Sequence, residues 1–241
     1  MQAVRSSYTQ LSYYQSEFDN KRTDLSWQSP YSELFGGAST GRLSVAPDNK
    51  LDQVNLLTGY YDKRLRAQIG LSYGVLRQKQ PFLPYTSNAL LMVALPEKAN
   101  LNGEIKIFSG YVNTTLNFDK NWRVKLNYRR NERDNKTPMQ SYQNILTDSV
   151  IIEGETAYKP YSLNKEQLKL EVKWRLPARS QLIAGREFER YQRNLQDRST
   201  SEDNKTWLQF SPKVAPLNGV SMELSEQRRD GSLYRNLGQA L

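Results

Sequence analysis

Leu65-Arg66-Ala67-Gln68-Ile69-Gly70-Leu71-Ser72-Tyr73-Gly74-Val75 places an apolar or aromatic residue at every odd position and a polar, charged or glycine residue at every even one. Successive side chains on a β-strand point to opposite faces, so this stretch has one apolar face and one wet face partly lined with small residues. The device recurs. Trp122, Val124, Leu126 and Tyr128 alternate with Arg123, Lys125, Asn127 and Arg129, and Leu168, Leu170, Val172, Trp174 and Leu176 alternate with Lys169, Glu171, Lys173 and Arg175. The polar face of these runs is more charged than the solvated side of a soluble antiparallel sheet, which is the alternative reading. Runs of this length match the roughly 9–11 residues a tilted strand needs to cross a bilayer, and lipid outside with water inside generates the pattern.

The expected fold is therefore all-β, an antiparallel up-and-down transmembrane β-barrel. No stretch of apolar residues is long enough for a membrane helix. Low mean hydropathy does not argue against a barrel, because only alternate residues of the crossing segments need be apolar. The 15 Tyr, 4 Trp and 7 Phe are enough to supply aromatic girdles at two membrane interfaces.

Turn residues recur at 62–64, 119–121, 177–179 and 216–219, and long polar connections fall near 35–52, 81–102, 135–164 and 194–205. Short turns alternating with long loops fit an outer-membrane barrel with a periplasmic and an extracellular rim. The strands read as 5–18, 24–31, 53–62, 65–79, 103–118, 122–133, 166–176, 180–192, 206–213 and 220–227, about ten in one barrel segment over 1–241. The chain opens without a secretory leader and stops in what reads as loop, so the expectation is a processed chain or a piece of a larger barrel.

Register assigns the faces. Leu71, Val112, Leu116, Phe118, Trp122, Val124, Leu126, Leu170, Val172 and Trp174 are expected to face lipid. Arg66, Gln68, Gly70, Ser72, Arg123, Lys125, Arg129, Lys169, Glu171, Lys173 and Arg175 are expected to line the lumen, and a slip of one residue would exchange the two sets.

With no Cys and no His, the chain lacks disulfides, thiolate and imidazole metal ligands, and Ser-His or Cys-His nucleophiles. Glu187 and Glu189 share a strand face with neither histidine nor nucleophile beside them, so no catalytic or metal site is expected, and the chain reads as a non-enzyme. The net charge of +9 is spread along alternating strands, which suits a basic lumen and contact with anionic outer-leaflet lipid better than nucleic acid.

Four segments carry a resemblance. Tyr128-Arg129-Arg130-Asn131-Glu132-Arg133-Asp134-Asn135-Lys136-Thr137-Pro138 ends a strand in a charged knot, and Pro160-Tyr161-Ser162-Leu163-Asn164-Lys165 begins the next. Leu182-Ile183-Ala184-Gly185-Arg186-Glu187-Phe188-Glu189-Arg190 and Arg229-Asp230-Gly231-Ser232-Leu233-Tyr234 follow in order. Together they resemble the MtrB/PioB-type, decahaem-associated outer-membrane β-barrels. That resemblance implies a bacterial outer-membrane sheath housing a periplasmic multihaem c-type cytochrome, with an outer-surface cytochrome or mineral beyond it. It implies no cofactor in this chain, haem belonging to the partner alone. Complete members are longer, and the cysteine motif that some carry near their start is absent here. The competing function is a general diffusion porin with a basic lumen, for which 135–164 would supply a constriction loop, although Ile145, Val150, Ile151 and Ile152 make it apolar for that role.

Overall fold

The computed structural model describes residues 5–28, 40–84, 98–147, 150–213, 217 and 219–234, with the backbone alone for 144–147 and 150–153. Nine strands form one antiparallel sheet: β1 (Ser6–Phe18), β4 (Asn49–Tyr61), β5 (Leu65–Gln78), β6 (Gly103–Asn117), β7 (Trp122–Asn135), β10 (Leu163–Arg175), β11 (Gln181–Arg193), β12 (Thr200–Ser211) and β13 (Met222–Gly231), hydrogen-bonded in that order. Two hairpins stand outside it, β2 (Asp24–Gln28) with β3 (Thr40–Ser44), and β8 (Ser141–Thr147) with β9 (Val150–Ala157). Among the described residues β1 and β13 do not pair, so the sheet is open.

Asp side chains build the first two short turns. The Asp62 carboxylate accepts from the Leu65 and Arg64 amides, both at 2.7 Å, and Asp119 accepts from Trp122 at 2.8 Å and Asn121 at 2.7 Å. These backbone N–H donors, Leu65 before Arg64 and Trp122 before Asn121, hold both carboxyls below the ordinary carboxylate range. The third reversal is different. Ser180 N–H donates to the Pro177 carbonyl while Ala178 and Arg179 take φ of 55° and 62°. Two successive positive φ values make the twist of a two-residue hairpin turn, usually given to Asn or Gly.

Several expectations change. The segment expected as the second barrel strand, 24–31, contributes only β2, whose partner is β3; residues 29–31 lie outside the described residues. β1 instead pairs with β4 along its whole length, from Ser6↔Tyr61 to Phe18↔Asn49, leaving nine wall strands rather than ten. The connection expected at 194–205 is shorter, because β12 starts at Thr200 and pairs with β11 from Gln192↔Thr200 onward. Its first half, Ser201-Glu202-Asp203-Asn204-Lys205, has no apolar alternation to reveal it. Cross-strand pairs such as Arg190–Glu202 (2.8 Å) and Arg229–Asp203 (2.7 Å) hold it instead. The connection expected at 35–52 is interrupted by β3 and shortened by β4, which already starts at Asn49, and the one at 135–164 carries the β8–β9 hairpin.

Among the described residues no second layer covers this sheet. Trp207, 8% exposed, is the single buried apolar residue among the described ones, while Leu11, Leu71, Leu170 and Leu224 stand 72%, 40%, 42% and 75% exposed. A soluble domain buries such residues between layers.

Candidate functional site

Directly paired residues in an antiparallel sheet share a face. Following the register from β1 to β13 gives one face carrying Leu11, Leu56, Leu71, Val112, Leu116, Trp122, Val124, Leu126, Leu170, Val172, Trp174, Ala184, Leu208 and Leu224. The opposite face carries Arg66, Gln68, Arg123, Lys125, Arg129, Lys169, Glu171, Lys173 and Arg175. The two sets named from the sequence thus fall on separate faces, without a slip at any of the strand junctions between β4 and β13.

The apolar face is a belt with a sharp, oblique upper edge. The first ionisable residue above it is Arg77 on β5, Lys106 on β6, Arg130 on β7, Glu166 on β10 and Glu226 on β13. Traced along its row of pairs, Glu226 meets Thr206, Arg186, Leu170, Leu126 and Thr114 and arrives at Ala67, ten residues below Arg77 on β5. At ~3.3 Å per residue and ~4.8 Å between strands, the edge crosses the strands at roughly 45°. That is the tilt of strands in a membrane barrel. At the turn end of the belt Trp122 and Trp174 stack, with centroids 5.1 Å apart and planes 7° from parallel, as interfacial aromatics do.

Above the edge the same face is laced with ion pairs. Arg77 lies 3.6 Å from Asp52 and 3.5 Å from Glu104, Lys106 3.9 Å from Glu104, and Lys136 2.9 Å from Asp134. Arg130 bridges Glu132 (2.7 Å) and Glu166 (3.6 Å). The strands therefore rise beyond the apolar belt into a charged collar. On the reverse side at that height, Leu51, Leu76 and Ile105 pair in one row, with Ile107 in the next row but one, and all four are half-buried.

The polar face has its own packing. Tyr8, Tyr111 and Trp207 lie opposite Gly59, Gly70 and Gly185, and each ring covers its glycine so closely that a Cβ there would collide with it. Tyr8 reaches across Gly59 to accept from the Gln68 amide at 3.0 Å. The Trp207 ring carries Lys169 at 5.0 Å and Lys205 at 5.8 Å over its plane. Bulky side chains are thus laid flat against the wall. Sequence inspection missed these pairs, since the spacing of a lone Gly185 and a Trp207 has no meaning until the register makes them neighbours.

Three cations on this face have carboxylate partners, while Arg66, Arg129, Arg133, Lys169 and Arg193 make no ion pair among the described residues. Lys165 pairs with Glu189 at 3.0 Å, Asp203 with Arg229 at 2.7 Å and Lys205 with Glu223 at 3.7 Å. Toward the short turns, Arg123 donates to Asn117 at 2.8 Å, Arg175 reaches the Lys120 carbonyl at 3.5 Å, and Lys125 and Lys173 make no ion pair among the described residues. No cluster of metal-binding carboxylates occurs among the described residues.

An uncovered single-layer sheet with an oblique belt and separated faces is the wall of a membrane barrel. Residues 5–240 match the family model described as "Putative outer membrane beta-barrel porin, MtrB/PioB". The chain belongs to the MtrB/PioB family. A curated relative, "Outer membrane protein MtrB" of Shewanella baltica (strain OS185), is 29% identical over 233 residues, covering 95% of this chain. The chain spans about a third (32%) of that relative's length. As an MtrB/PioB member it is an all-β outer-membrane protein of porin-like character, and nine of its thirteen described strands form a curtain of antiparallel wall.

Proposed function

We propose that this wall sheathes a periplasmic multihaem c-type cytochrome, so that electrons cross the outer membrane along the partner's haems while the barrel keeps lipid away. The observation that supports the reading most is the separation of faces: an apolar belt for lipid on one side, and on the other a polar surface of charges and flattened rings. In this reading Leu71, Val112, Leu116, Trp122, Val124, Leu126, Leu170, Val172 and Trp174 face lipid, and Arg66, Gln68, Arg123, Lys125, Arg129, Lys169, Glu171, Lys173 and Arg175 face the bore.

The chain's contribution is insulation and shape. Between neighbouring strands its backbone groups are satisfied, as lipid demands, with only the outer edges of β1 and β13 left to pair. The charges of the polar face, basic in balance, present the partner with a hydrated surface. Haem supplies the electron transfer, and with no Cys and no His its thioether attachment and imidazole ligation fall to the partner. Nine strands alone make a narrow barrel, so a bore for a folded cytochrome needs further wall.

A diffusion porin is the second reading, favoured by the cations without ion pairs at the turn end. Purification of the full-length parent from outer membranes, with haem absorbance read on the barrel, separates the two. A stoichiometric multihaem signal that vanishes when the barrel gene is deleted is expected; a haem-free barrel conducting ions in a planar bilayer would leave the porin.

A further inference from the structure

We infer that the short-turn end of the polar face is an anion-docking surface, built to hold a carboxylate-rich face of a soluble protein entering the bore from that rim. The inference rests on the sheath reading above and adds where, and by what chemistry, the partner is gripped.

Arg123, Lys125, Lys173 and Arg175 occupy the last rows of β7 and β10 on one face, with Arg123 directly opposite Lys173 and Lys125 one row-pair further along. With Lys120 in the adjoining turn, three of them line a recess of about 190 Å³ whose other walls include Asn117, Asp119 and Asn121. Two carboxylates are close in the fold. Asp119 faces the recess, but one of its oxygens is engaged by two turn amides, and Glu171 lies opposite Lys125 without forming an ion pair. Elsewhere on the same face three cations have a carboxylate partner: Lys165 with Glu189, Arg229 with Asp203 and Lys205 with Glu223. Arg66, Arg129, Arg133, Lys169 and Arg193 on this face also make no ion pair among the described residues, but only at the turn end do four cations of two neighbouring strands crowd together beside a fifth in the adjoining turn, and such a positive field concentrates and orients an anionic partner.

Lipid headgroups are the wrong occupant for these residues. The same strands turn Val124, Val172 and Trp174 to the other face, so the belt lies on the side away from Lys125 and Lys173, and only Trp122 of the belt borders the recess. The surface also spans two paired strands and their turns, broader than one small anion requires.

The test uses the full-length parent purified with its haem protein. Lys125→Glu and Lys173→Glu are combined, because neither lysine holds another group of the wall in place. Lys50→Glu, which lies on the belt face above the apolar edge, controls for the change of charge. Folding is monitored by resistance of the barrel to unfolding in detergent on gels. The expected result is a folded barrel whose haem protein dissociates at a salt concentration several-fold lower, with affinity down about tenfold or more, while the control stays at the parent value. Unchanged retention and unchanged salt dependence in the folded double variant would overturn the docking surface while leaving the sheath intact. If the unaltered parent retains no haem protein, the sheath reading falls and the docking surface with it. If reversal changes only the anion-to-cation permeability of a haem-free barrel, the cluster belongs to solute selectivity and the docking role is overturned. Should the double variant fail to fold, Lys173→Gln alone gives the same readout at smaller amplitude.

Discussion

The turn half and the loop half of the wall use the same strands with opposite polarity. On β5, Leu65 to Val75 send their apolar side chains to the belt face; two residues higher that face receives Arg77, and Leu76 goes to the reverse side. On β6, Val112 and Leu116 belong to the belt, whereas Glu104 and Lys106 occupy that face near the loops, backed by Ile105 and Ile107. The backbone alternation never breaks, but what each face meets changes with height. A strand of this kind is two half-sentences joined at the membrane edge, and reading it as one amphipathic unit assigns its upper residues to the wrong solvent.

The largest expected effect bears on whether the turn half can exist without more wall. β1 and β13 each leave one edge unpaired among the described strands, which invites edge-to-edge association. Expressed alone, the 241-residue chain should aggregate or assemble through those edges and give no stable single-channel conductance; a monomeric, conducting species in detergent would show that the nine strands close on themselves. The halves are then compared directly by placing a charge in each. Leu126→Arg, in the belt, should cost about 2–4 kcal/mol of folding stability in vesicles, whereas Asn164→Arg, on the same face near the loops, should cost almost nothing. Equal losses would mean that the oblique edge does not mark the lipid boundary.

Gly185→Val addresses the polar face. Lifting the Trp207 ring off the sheet should destabilise the parent barrel by about 1–3 kcal/mol and shift the tryptophan emission to the red. Retention of the native spectrum would mean that the ring need not lie flat. The smallest effect lies in the turns. Because the Asp62 and Asp119 carboxyls are held below their ordinary value of 3.8, their capping is fully present above that value and is lost as pH falls through the depressed one. Amide exchange at Leu65 and Trp122, corrected for intrinsic rates, should therefore accelerate only in acid, and Asp62→Asn should remove that dependence at Leu65.

The turn half was largely legible in the sequence, for a physical reason. Where lipid meets one face and water the other, the contrast between neighbours such as Val124 and Lys125 is maximal and the period of two is plain. Above the membrane edge both faces meet water or protein, so the lower-contrast run Ser201-Glu202-Asp203-Asn204-Lys205 looked like loop although it pairs fully with β11. The 24–31 segment misled in the other direction. Leu25 and Trp27 alternate with Ser26 and Gln28 as a wall strand would, yet β2 is five residues long and too short to cross. Local pattern cannot state which partner a strand will find, and β1 found β4.

The oblique edge of the belt also sets how the wall spends its residues. Upright strands would each add about 4.8 Å to the rim; leaning by roughly 45°, each adds about 7 Å, so nine of them cover around 60 Å of perimeter. The lean lengthens every crossing in return, to roughly 9–11 residues, and β5, β6 and β10, at 14, 15 and 13 residues, cover that with length to spare. Perimeter is thus gained by lengthening strands instead of multiplying them, and a barrel built this way widens without adding a single turn to its rims.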